Sequence, residues 1–454
     1  MIMAARSLAP LTALDSPLWG PSFVDDDMRE LVSADAFVDA CVTTEAALAR
    51  AQARLGIIPK EAAEGISAAA ETLELDRERL AHETAVVGYP ILPLVEQMSA
   101  ACGPAGKHLH WGATTQDIMD TATVLQLRGG LDLIERRLDA VRDALATLAR
   151  DHRDTVMAGR THLQHALPVT FGWKAAVWLS ALDRHKERLA QVRPRLLVVQ
   201  FSGASGTLAS LGDRGLEVQA ELAAELDLGV PDITWHAMRD GVAEAVQLMA
   251  LIGGSLGKIA CDVSVMMTTE VGEVSEPFAR HRGASSTMPQ KQNPISCELI
   301  LAAARLMRNH ATTMLDAMIH DFERATGPWH LEWSAVPEGF ALASGALAQA
   351  EFLLSGLQVR PDAMARNLAS TRGLIVAEAV MMALAPHTGR TEAHDIVYRC
   401  CRAAIAGDTT LLEALAQDDE VTAHLDRARL ETLTAPENYL GTAGEMVDRL
   451  LSQR

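Results

Sequence analysis

Aromatic side chains are scarce in this chain, at 4% of its 454 residues, although 49% of the residues are hydrophobic. The apolar residues are therefore mainly Ala and Leu, which lose little side-chain freedom in a helix. A sheet protein normally carries more Val, Ile, Tyr and Phe. We expect a helical protein with a large core, and the length suggests about three domains.

Positive charge is also in short supply, since the formal net charge is −19. Proteins that bind nucleic acid need clustered Lys and Arg to neutralise phosphates, so we expect no nucleic-acid partner. The acidic excess favours solubility and does not inform on the fold. An anionic substrate would need a site that is locally basic within this acidic chain.

None of the six cysteines belongs to a CxxC pair or has the spacing of zinc ligands. We expect free thiols in a reducing cytoplasm and no metal site. Residues 1–14 lack the continuous apolar stretch and cleavage site of a signal peptide. No stretch of about 20 uninterrupted apolar residues predicts a membrane helix.

Aliphatic residues recur at intervals of three and four in one long stretch of the chain, which is typical of a heptad-like helical seam. The residues of this seam are Leu131, Ile134, Leu138, Val141, Leu145 and Leu148. Similar patterns cover 172–200 and 241–275, and their length exceeds that of an ordinary globular helix. We therefore predict an all-α fold built around a bundle of long helices.

Gly and Pro interrupt the helical pattern at residues 103–117, 158–172 and 280–294. Such interruptions between long helices are places where functional side chains are presented. The pattern also suggests three domains: an N-terminal helical domain at 1–112, a central long-helix domain at 113–355 and a C-terminal helical domain at 356–454.

The most informative interruption is Gly-Ala-Ser-Ser-Thr-Met-Pro-Gln-Lys-Gln-Asn-Pro at residues 283–294, called the loop motif below. Paired serines, a small-residue hinge and a lysine six positions after the first serine indicate a mobile, cationic loop. Asn293 followed by Pro294 predicts a helix start, with Asn293 as the N-cap. The positive end of that helix would favour a carboxylate nearby.

The loop motif resembles the signature of the fumarase/aspartase superfamily, Gly-Ser-Ser-x-Met-Pro-x-Lys-x-Asn-Pro, with Ala284 in place of the usual glycine. Two further segments resemble the other signature regions, in family order. The first motif is His-Trp-Gly-Ala-Thr-Thr-Gln-Asp at 110–117, and the second motif is Gly-Arg-Thr-His-Leu-Gln-His-Ala-Leu-Pro at 159–168. The resemblance spans nearly the whole chain and implies a homotetramer whose active sites each combine the three motifs from three subunits.

The resemblance also implies catalytic roles. The family removes a proton beside a carboxylate and forms a dianionic aci-carboxylate, which needs a strong base and strong charge stabilisation. By resemblance Ser285 is the base, and Lys291 stabilises the developing charge. His162 would exchange a proton with the leaving atom, and Glu298 would be the carboxylate partner that orients His162.

Hydroxyl and amide groups of the three motifs are expected to bind the substrate's carboxylates. The residues implied are Thr114, Thr115, Gln116, Thr161, Ser286, Met288 and Asn293. Because only a proton is transferred, we expect no cofactor, and the partner is a small polycarboxylate. Closure of residues 280–292 over the ligand is expected to gate the site. The role of residues 324–333, which include Arg324 and two tryptophans, stays open between a pocket wall and a structural turn.

Within the superfamily, the first motif is most similar to that of the 3-carboxy-cis,cis-muconate cycloisomerases, which add a carboxylate oxygen to a double bond and close a lactone. Residues 15–21 lack the Arg-Tyr pair that is typical of adenylosuccinate lyases. His162 keeps open a fumarate-releasing C–N lyase on a succinyl or aspartate derivative, similar to adenylosuccinate lyase or nitrosuccinate lyase. A non-enzymatic crystallin-type role is the remote alternative, and the retained catalytic residues argue against it.

Overall fold

The computed structural model describes residues 12–454, and α-helices make up most of its regular structure. The α-helices are α1 (Gly20–Phe23), α2 (Asp26–Leu31), α3 (Ala34–Arg54), α4 (Lys60–Glu71), α5 (Arg77–Val87), α6 (Ile91–Ala101), α7 (Thr115–Asp151), α8 (Phe171–Leu196), α9 (Gly215–Leu226), α10 (Asp240–Met266), α11 (Ile295–Ala317), α12 (Pro328–Ser355), α13 (Pro361–Ala369), α14 (Ala377–Thr388), α15 (Arg390–Ala406), α16 (Leu411–Ala416), α17 (Asp419–Thr422), α18 (Arg427–Leu433) and α19 (Ala443–Leu451). Short 3₁₀ segments are Gly103–His108, Ala209–Arg214, Leu374–Val376 and Pro436–Asn438. The predicted all-α class is confirmed.

The predicted long helices are present. Helix α7 has 37 residues, and α8, α10, α11 and α12 have 23 to 28 residues each. All six residues of the predicted seam lie on α7 and are buried, with at most 8% of their surface exposed. The seam therefore forms because aliphatic residues at this spacing share one face of a helix.

The described chain divides into two compact units, each assembled from separated stretches of sequence. Unit 1 comprises the described residues up to Leu138, Arg184–Leu256 and Leu299–Ala348. Unit 2 comprises Asp139–Asp183, Gly257–Glu298 and Gln349–Arg454. The three-domain division stays a prediction, and the first eleven residues of its N-terminal domain lie outside the described part.

Each unit has its own buried core. In unit 1, apolar residues of α3, α4, α6 and α7 pack together with Trp329 of α12. In unit 2, the core of the C-terminal helices joins α14 and α15 to α16 and α18, and Leu384, Ile396 and Leu411 are among its buried residues. The helices that flank the first motif and the loop motif are thus parts of packed units, as a precise site requires.

Two small antiparallel sheets accompany the helices in unit 2. Strands β1 (Val156–Thr161) and β2 (Gln164–Thr170) form a hairpin, and β3 (Val274–Ser275) pairs with β4 (Gln358–Val359). The hairpin has a bulge between Ala158 and Arg160. A Cβ atom at Gly159 would lie 2.7 Å from the carbonyl oxygen of Leu167, so the bulge needs glycine. The second motif, foreseen as a break, is therefore a β-hairpin.

Among the described residues, α10 is the one single helix that is long and apolar enough to cross a membrane. Of its most apolar window, 44% is buried inside the protein. Ala245, Met249 and Ile252 on this helix are fully buried. These positions belong to the protein core, as expected for a central helix of a large bundle.

Candidate active site

The first motif is tied to helix α3 within unit 1. His110 Nδ1 lies 2.6 Å from the buried carboxylate of Glu45, and the amide of Gln52 donates to the carbonyl of Trp111 at 2.6 Å. Burial opposes protonation of His110, but the hydrogen bond and charge of Glu45 outweigh it and raise the histidine's pKa. These contacts position the turn that leads into α7.

Asp117 organises the start of α7. Its buried carboxylate accepts backbone hydrogen bonds from Thr114 at 3.0 Å and from Ser202 and Gly203 at 2.9 Å. It also lies 2.8 Å from His236 Nε2. These contacts hold the 202–203 segment beside the first motif and leave Asp117 in a structural role.

Arg324 lies against the first motif. Its Nε donates to Gln116 Oε1 at 3.1 Å, and its terminal nitrogen approaches Thr114 Oγ1 at 3.4 Å and the carbonyl of Ala204 at 3.2 Å. Arg324 is half-buried, and no ion pair joins it to a carboxylate in the part of the chain that the structure describes. A guanidinium held only by neutral acceptors is suited to an anionic ligand.

Gln116 is fully engaged by protein groups. Its Nε2 donates to Asp120 at 3.1 Å and to the carbonyl of His236 at 2.8 Å, while its oxygen accepts from Arg324. Only 1% of the residue is exposed. Direct contact between Gln116 and a substrate stays a prediction, since these partners already occupy both ends of its amide.

His162 lies at the tip of the β1–β2 hairpin in unit 2. The pairing of Thr161 with Gln164 leaves His162 and Leu163 as a two-residue turn. Both have positive φ, at 52° and 63°, as a type I′ turn requires, although Asn and Gly are the residues that favour it. Non-glycine residues held in this conformation often mark functional sites. Thr161 and His162 are exposed, so both are accessible to a ligand.

The base of the hairpin is anchored by a buried ion pair. Arg160 donates two hydrogen bonds to Glu273, at 2.9 and 2.7 Å, and Glu273 is fully buried. Asn367 donates to the same carboxylate at 2.8 Å. This bidentate pair fixes the strand that presents Thr161 and His162.

Ser285 accepts hydrogen bonds from its own loop. Its Oγ accepts from the backbone N–H groups of Met288 at 3.1 Å and Thr287 at 3.3 Å. Two N–H donors on one oxygen stabilise negative charge there, which is what a serine needs to act as a base. The loop thus supplies part of the charge stabilisation that a serine alkoxide needs.

The ends of the loop motif are joined. The N–H of Asn293 donates to the carbonyl of Gly283 at 3.0 Å, and Ala284 pairs with Gln292. Gly283 has a φ of +68°, and a Cβ there would lie 3.2 Å from the nitrogen of Asn293, so this close approach needs glycine. Between these ends, the loop's remaining predicted site residues, Ser286, Met288 and Lys291, are exposed.

Helix α11 begins at Ile295, one residue later than predicted, and Pro294 supplies the carbonyl that accepts from Glu298 N–H. The carboxylate at this helix end belongs to Glu276, which accepts from Ser296 at 3.2 Å and Cys297 at 3.0 Å. The positive end of the helix is therefore already occupied by a protein carboxylate. Glu298 is exposed on the first turn.

Within one chain, the predicted catalytic residues do not all contact one another. Thr114, Gln116 and Arg324 lie together in unit 1. Across the described residues, no hydrogen bond or ion pair connects His162 with Glu298, and Lys291 forms no ion pair. The roles of these residues therefore stay predictions.

Three acidic residues that position the candidate site were not foreseen from the sequence. Glu45, Glu276 and Glu273 act through contacts with residues far along the chain, and a single acidic residue on a helix or loop carries no signal of such a partner. Arg324 was noted in the sequence with its role open between a pocket wall and a structural turn, and the structure places it against Gln116 and Thr114.

The sequence and the fold of this chain match those of a known protein family. The family model described as lyase matches residues 23–307, and the model described as the C-terminus of adenylosuccinate lyase matches residues 373–450. A crystal structure of a fumarate lyase from Mesorhizobium sp. BNC1 superposes with a TM-score of 0.92 at 69% identity, covering 96% of this chain and all of that one.

Two curated relatives are similar over almost the whole chain. Trans-aconitate decarboxylase 1 of Mycosarcoma maydis is 47% identical, over 95% of this chain and 88% of its own. The 3-carboxy-cis,cis-muconate cycloisomerase of Pseudomonas aeruginosa is 45% identical, over 96% of each chain. The chain therefore belongs to the lyase family of the fumarase/aspartase superfamily, as an enzyme similar to the 3-carboxy-cis,cis-muconate cycloisomerases.

Proposed function

We propose that this enzyme catalyses the cycloisomerisation of 3-carboxy-cis,cis-muconate. The observation that carries the proposal is the Ser285 hydroxyl, whose oxygen accepts two backbone N–H groups of its own loop. Such an oxygen can hold negative charge and exchange a proton with carbon beside a carboxylate. The substrate's identity is supported by cycloisomerase relatives that match nearly the whole chain.

The chemistry needs only one proton donor and charge stabilisation. One carboxylate oxygen of the substrate adds to a double bond, forming a C–O bond, and the π electrons move into the neighbouring carboxylate as an aci-carboxylate. The Ser285 hydroxyl then gives its proton to the α-carbon, and its alkoxide regains a proton from solvent. In reverse the alkoxide removes that proton, and the carboxylate leaves. Lys291 lowers the free energy of the dianion by its positive charge.

Unsaturated tricarboxylates are the substrate class that this site suits. Arg324, next to Thr114, supplies a guanidinium that pairs with no carboxylate among residues 12–454, in a chain with a net charge of −19. Thr115, Thr161, Ser286, Met288 and Asn293 complete the proposed binding set. A relative that is 47% identical is named for trans-aconitate, which is also an unsaturated tricarboxylate.

The proposed active unit is a homotetramer with shared sites. The exposed positions of His162 and Glu298, which do not pair within the chain, support contacts made with other subunits. Leu251 and Leu315, which line the groove between α10 and α11, are more than half exposed. A cytoplasmic location is proposed because all six cysteines are free, and four of them are buried.

The test is the ultraviolet absorbance of 3-carboxy-cis,cis-muconate in the presence of purified protein. Conversion to the lactone removes the conjugated diene, so absorbance falls at a catalytic rate if the proposal holds. Heat-inactivated protein is the control for spontaneous lactonisation. A constant absorbance at micromolar enzyme would contradict the proposal.

His162 favours a second candidate, a fumarate-releasing lyase. A departing carboxylate needs no proton, whereas a departing amine does, and a histidine facing the leaving atom supplies one. A solved structure named fumarate lyase is 69% identical to this chain. Fumarate formation from N-substituted aspartates and nitrosuccinate, with no conversion of the muconate, would establish this alternative.

A further inference from the structure

A buried ion-pair triad lies behind the first motif in unit 1. Arg239 donates to both oxygens of Asp120 at 2.8 and 2.9 Å and to both oxygens of Glu332 at 2.8 and 2.6 Å. The side chains of all three residues are at most 4% exposed. The Arg239 guanidinium also lies over the ring of Trp235, with its carbon 4.8 Å from the ring centre.

The triad is connected to the proposed carboxylate-binding arginine. Asp120 accepts from Gln116 at 3.1 Å, and Gln116 in turn accepts from Arg324 at 3.1 Å. A continuous series of hydrogen bonds thus runs from Glu332 through Arg239, Asp120 and Gln116 to Arg324. We call it the Arg324 relay.

Two acceptors determine which way the Gln116 amide points. Asp120 and the carbonyl of His236 can only accept hydrogen bonds, so together they hold the Gln116 NH₂ group and turn the amide oxygen towards Arg324 Nε. Asp120 is itself held by two parallel bonds from Arg239, and Arg239 by two more from Glu332. Loss of one outer charge would loosen the orientation of every inner group.

Stability alone gives no reason to retain this triad. Burying two carboxylates and one guanidinium carries a desolvation cost that their attraction often only offsets, and apolar replacements in other proteins are neutral or stabilising. A preorganised binding group, in contrast, needs its rotamer fixed by surrounding hydrogen bonds.

We propose that Arg239 and Glu332 are positioning residues, which act through Asp120 and Gln116 to hold Arg324 in the orientation that binds a substrate carboxylate. The inference rests on the proposed function for the ligand class, a polycarboxylate. Glu332 and Arg239 touch no ligand themselves, and their effect reaches the ligand only through Arg324.

The test is calorimetric binding of propane-1,2,3-tricarboxylate, an inert tricarboxylate, to the full-length protein. Glu332→Gln keeps the side chain's shape but removes the outer charge, and Gln116→Met cuts the relay beside Arg324. Each variant is expected to bind about three- to tenfold more weakly. Glu135→Gln is the matched control, because Glu135 pairs with Arg193 at 2.8 Å outside the relay, and its affinity should equal that of the wild type. Circular dichroism and thermal midpoints identify any variant that fails to fold.

A double-mutant cycle separates positioning from a structural role. In an Arg324→Gln background, Glu332→Gln should not weaken binding further, since the residue that it positions is gone. Arg239→Lys should also bind more weakly than the wild type, because a single ammonium cannot form parallel bonds to both carboxylates. The inference would be overturned if Glu332→Gln weakened binding equally in the wild-type and Arg324→Gln backgrounds. It would also be overturned if folded Glu332→Gln and Gln116→Met bound with wild-type affinity, or if Arg324→Gln itself did not weaken binding. An enzyme that binds the tricarboxylate in this way but does not convert the muconate would overturn only the proposed function.

Discussion

The carboxylate of Glu276 accepts the backbone N–H of Cys297 at 3.0 Å and so caps the helix that follows the loop motif. Glu276→Ala removes this acceptor and its favourable charge at the helix N-terminus. We expect the free energy of unfolding to fall by about 1 kcal/mol. Urea titration followed by circular dichroism measures it, with Glu270→Ala, at an exposed position, as the control. Equal effects of the two substitutions would refute the capping role.

Leu163 occupies a left-handed turn position at φ 63° while 76% exposed, so its side chain gains little from burial. Leu163→Gly should raise the free energy of unfolding by about 0.5–1 kcal/mol, since relief of the left-handed strain outweighs the added freedom of the unfolded chain. Leu163→Ala keeps the Cβ atom and should bring no gain. The measurement is thermal unfolding of the wild type, Leu163→Gly and Leu163→Ala. A destabilised glycine variant would contradict the strain argument and show that the Leu163 side chain makes stabilising contacts.

His162→Asn tests the proton-transfer role of the hairpin tip without disturbing its turn. Asn tolerates the left-handed conformation, so the thermal midpoint should stay within the error of the wild-type value. Turnover of a substrate with an amine leaving group should fall by about 100-fold or more. A variant with normal turnover on every substrate tested would remove His162 from the mechanism.

His185 predicts a pH dependence of stability in unit 1. Burial first, and then Arg188 and Arg184, lower the pKa of His185 from 6.5 to about 4, and its Nε2 lies 2.8 Å from Ser255 Oγ. His185 takes up a proton near pH 6.5 in the unfolded chain but only near pH 4 in the folded chain. Its contribution to the free energy of unfolding is therefore complete above pH 6.5. Between pH 6.5 and 4 it is lost, by at most about 1.4 kcal/mol per pH unit.

The measurement is the unfolding free energy of the wild type and of His185→Gln between pH 7.5 and 4.5. The variant lacks the titrating group, so the difference between the two proteins should shrink as the pH falls. A difference that stays constant over this range would show that His185 remains accessible to protons in the folded state.

The helical seam was predictable from sequence because periodicity is a local property. Leu131 to Leu148 repeat at three- and four-residue intervals, and all are buried on α7. The loop motif was equally visible, since its residues are contiguous. The hairpin around His162 was not, because Gly and Pro mark a break without showing what replaces the helix. The ion pair at its base joins Arg160 to Glu273, more than a hundred residues away.

The Arg324 relay also lay beyond sequence analysis. Asp120, Arg239 and Glu332 are spread over more than two hundred residues, and each alone resembles a solvated helical charge. Gln116 was assigned to substrate contact on resemblance, and only the three-dimensional arrangement shows its amide engaged at both ends. Sequence motifs thus located the candidate site, while the groups that orient it required the fold.

The most direct test of the central claim is the rate of muconate turnover by Ser285→Ala compared with Ser286→Ala. Both serines lie in the same loop, but Ser285 Oγ is the oxygen that accepts the N–H groups of Thr287 and Met288. We predict that kcat falls by about 100- to 10,000-fold in Ser285→Ala and by far less in Ser286→Ala, with thermal midpoints unchanged. Near-normal turnover by a folded Ser285→Ala variant would contradict the assignment of Ser285 as the proton-transfer group.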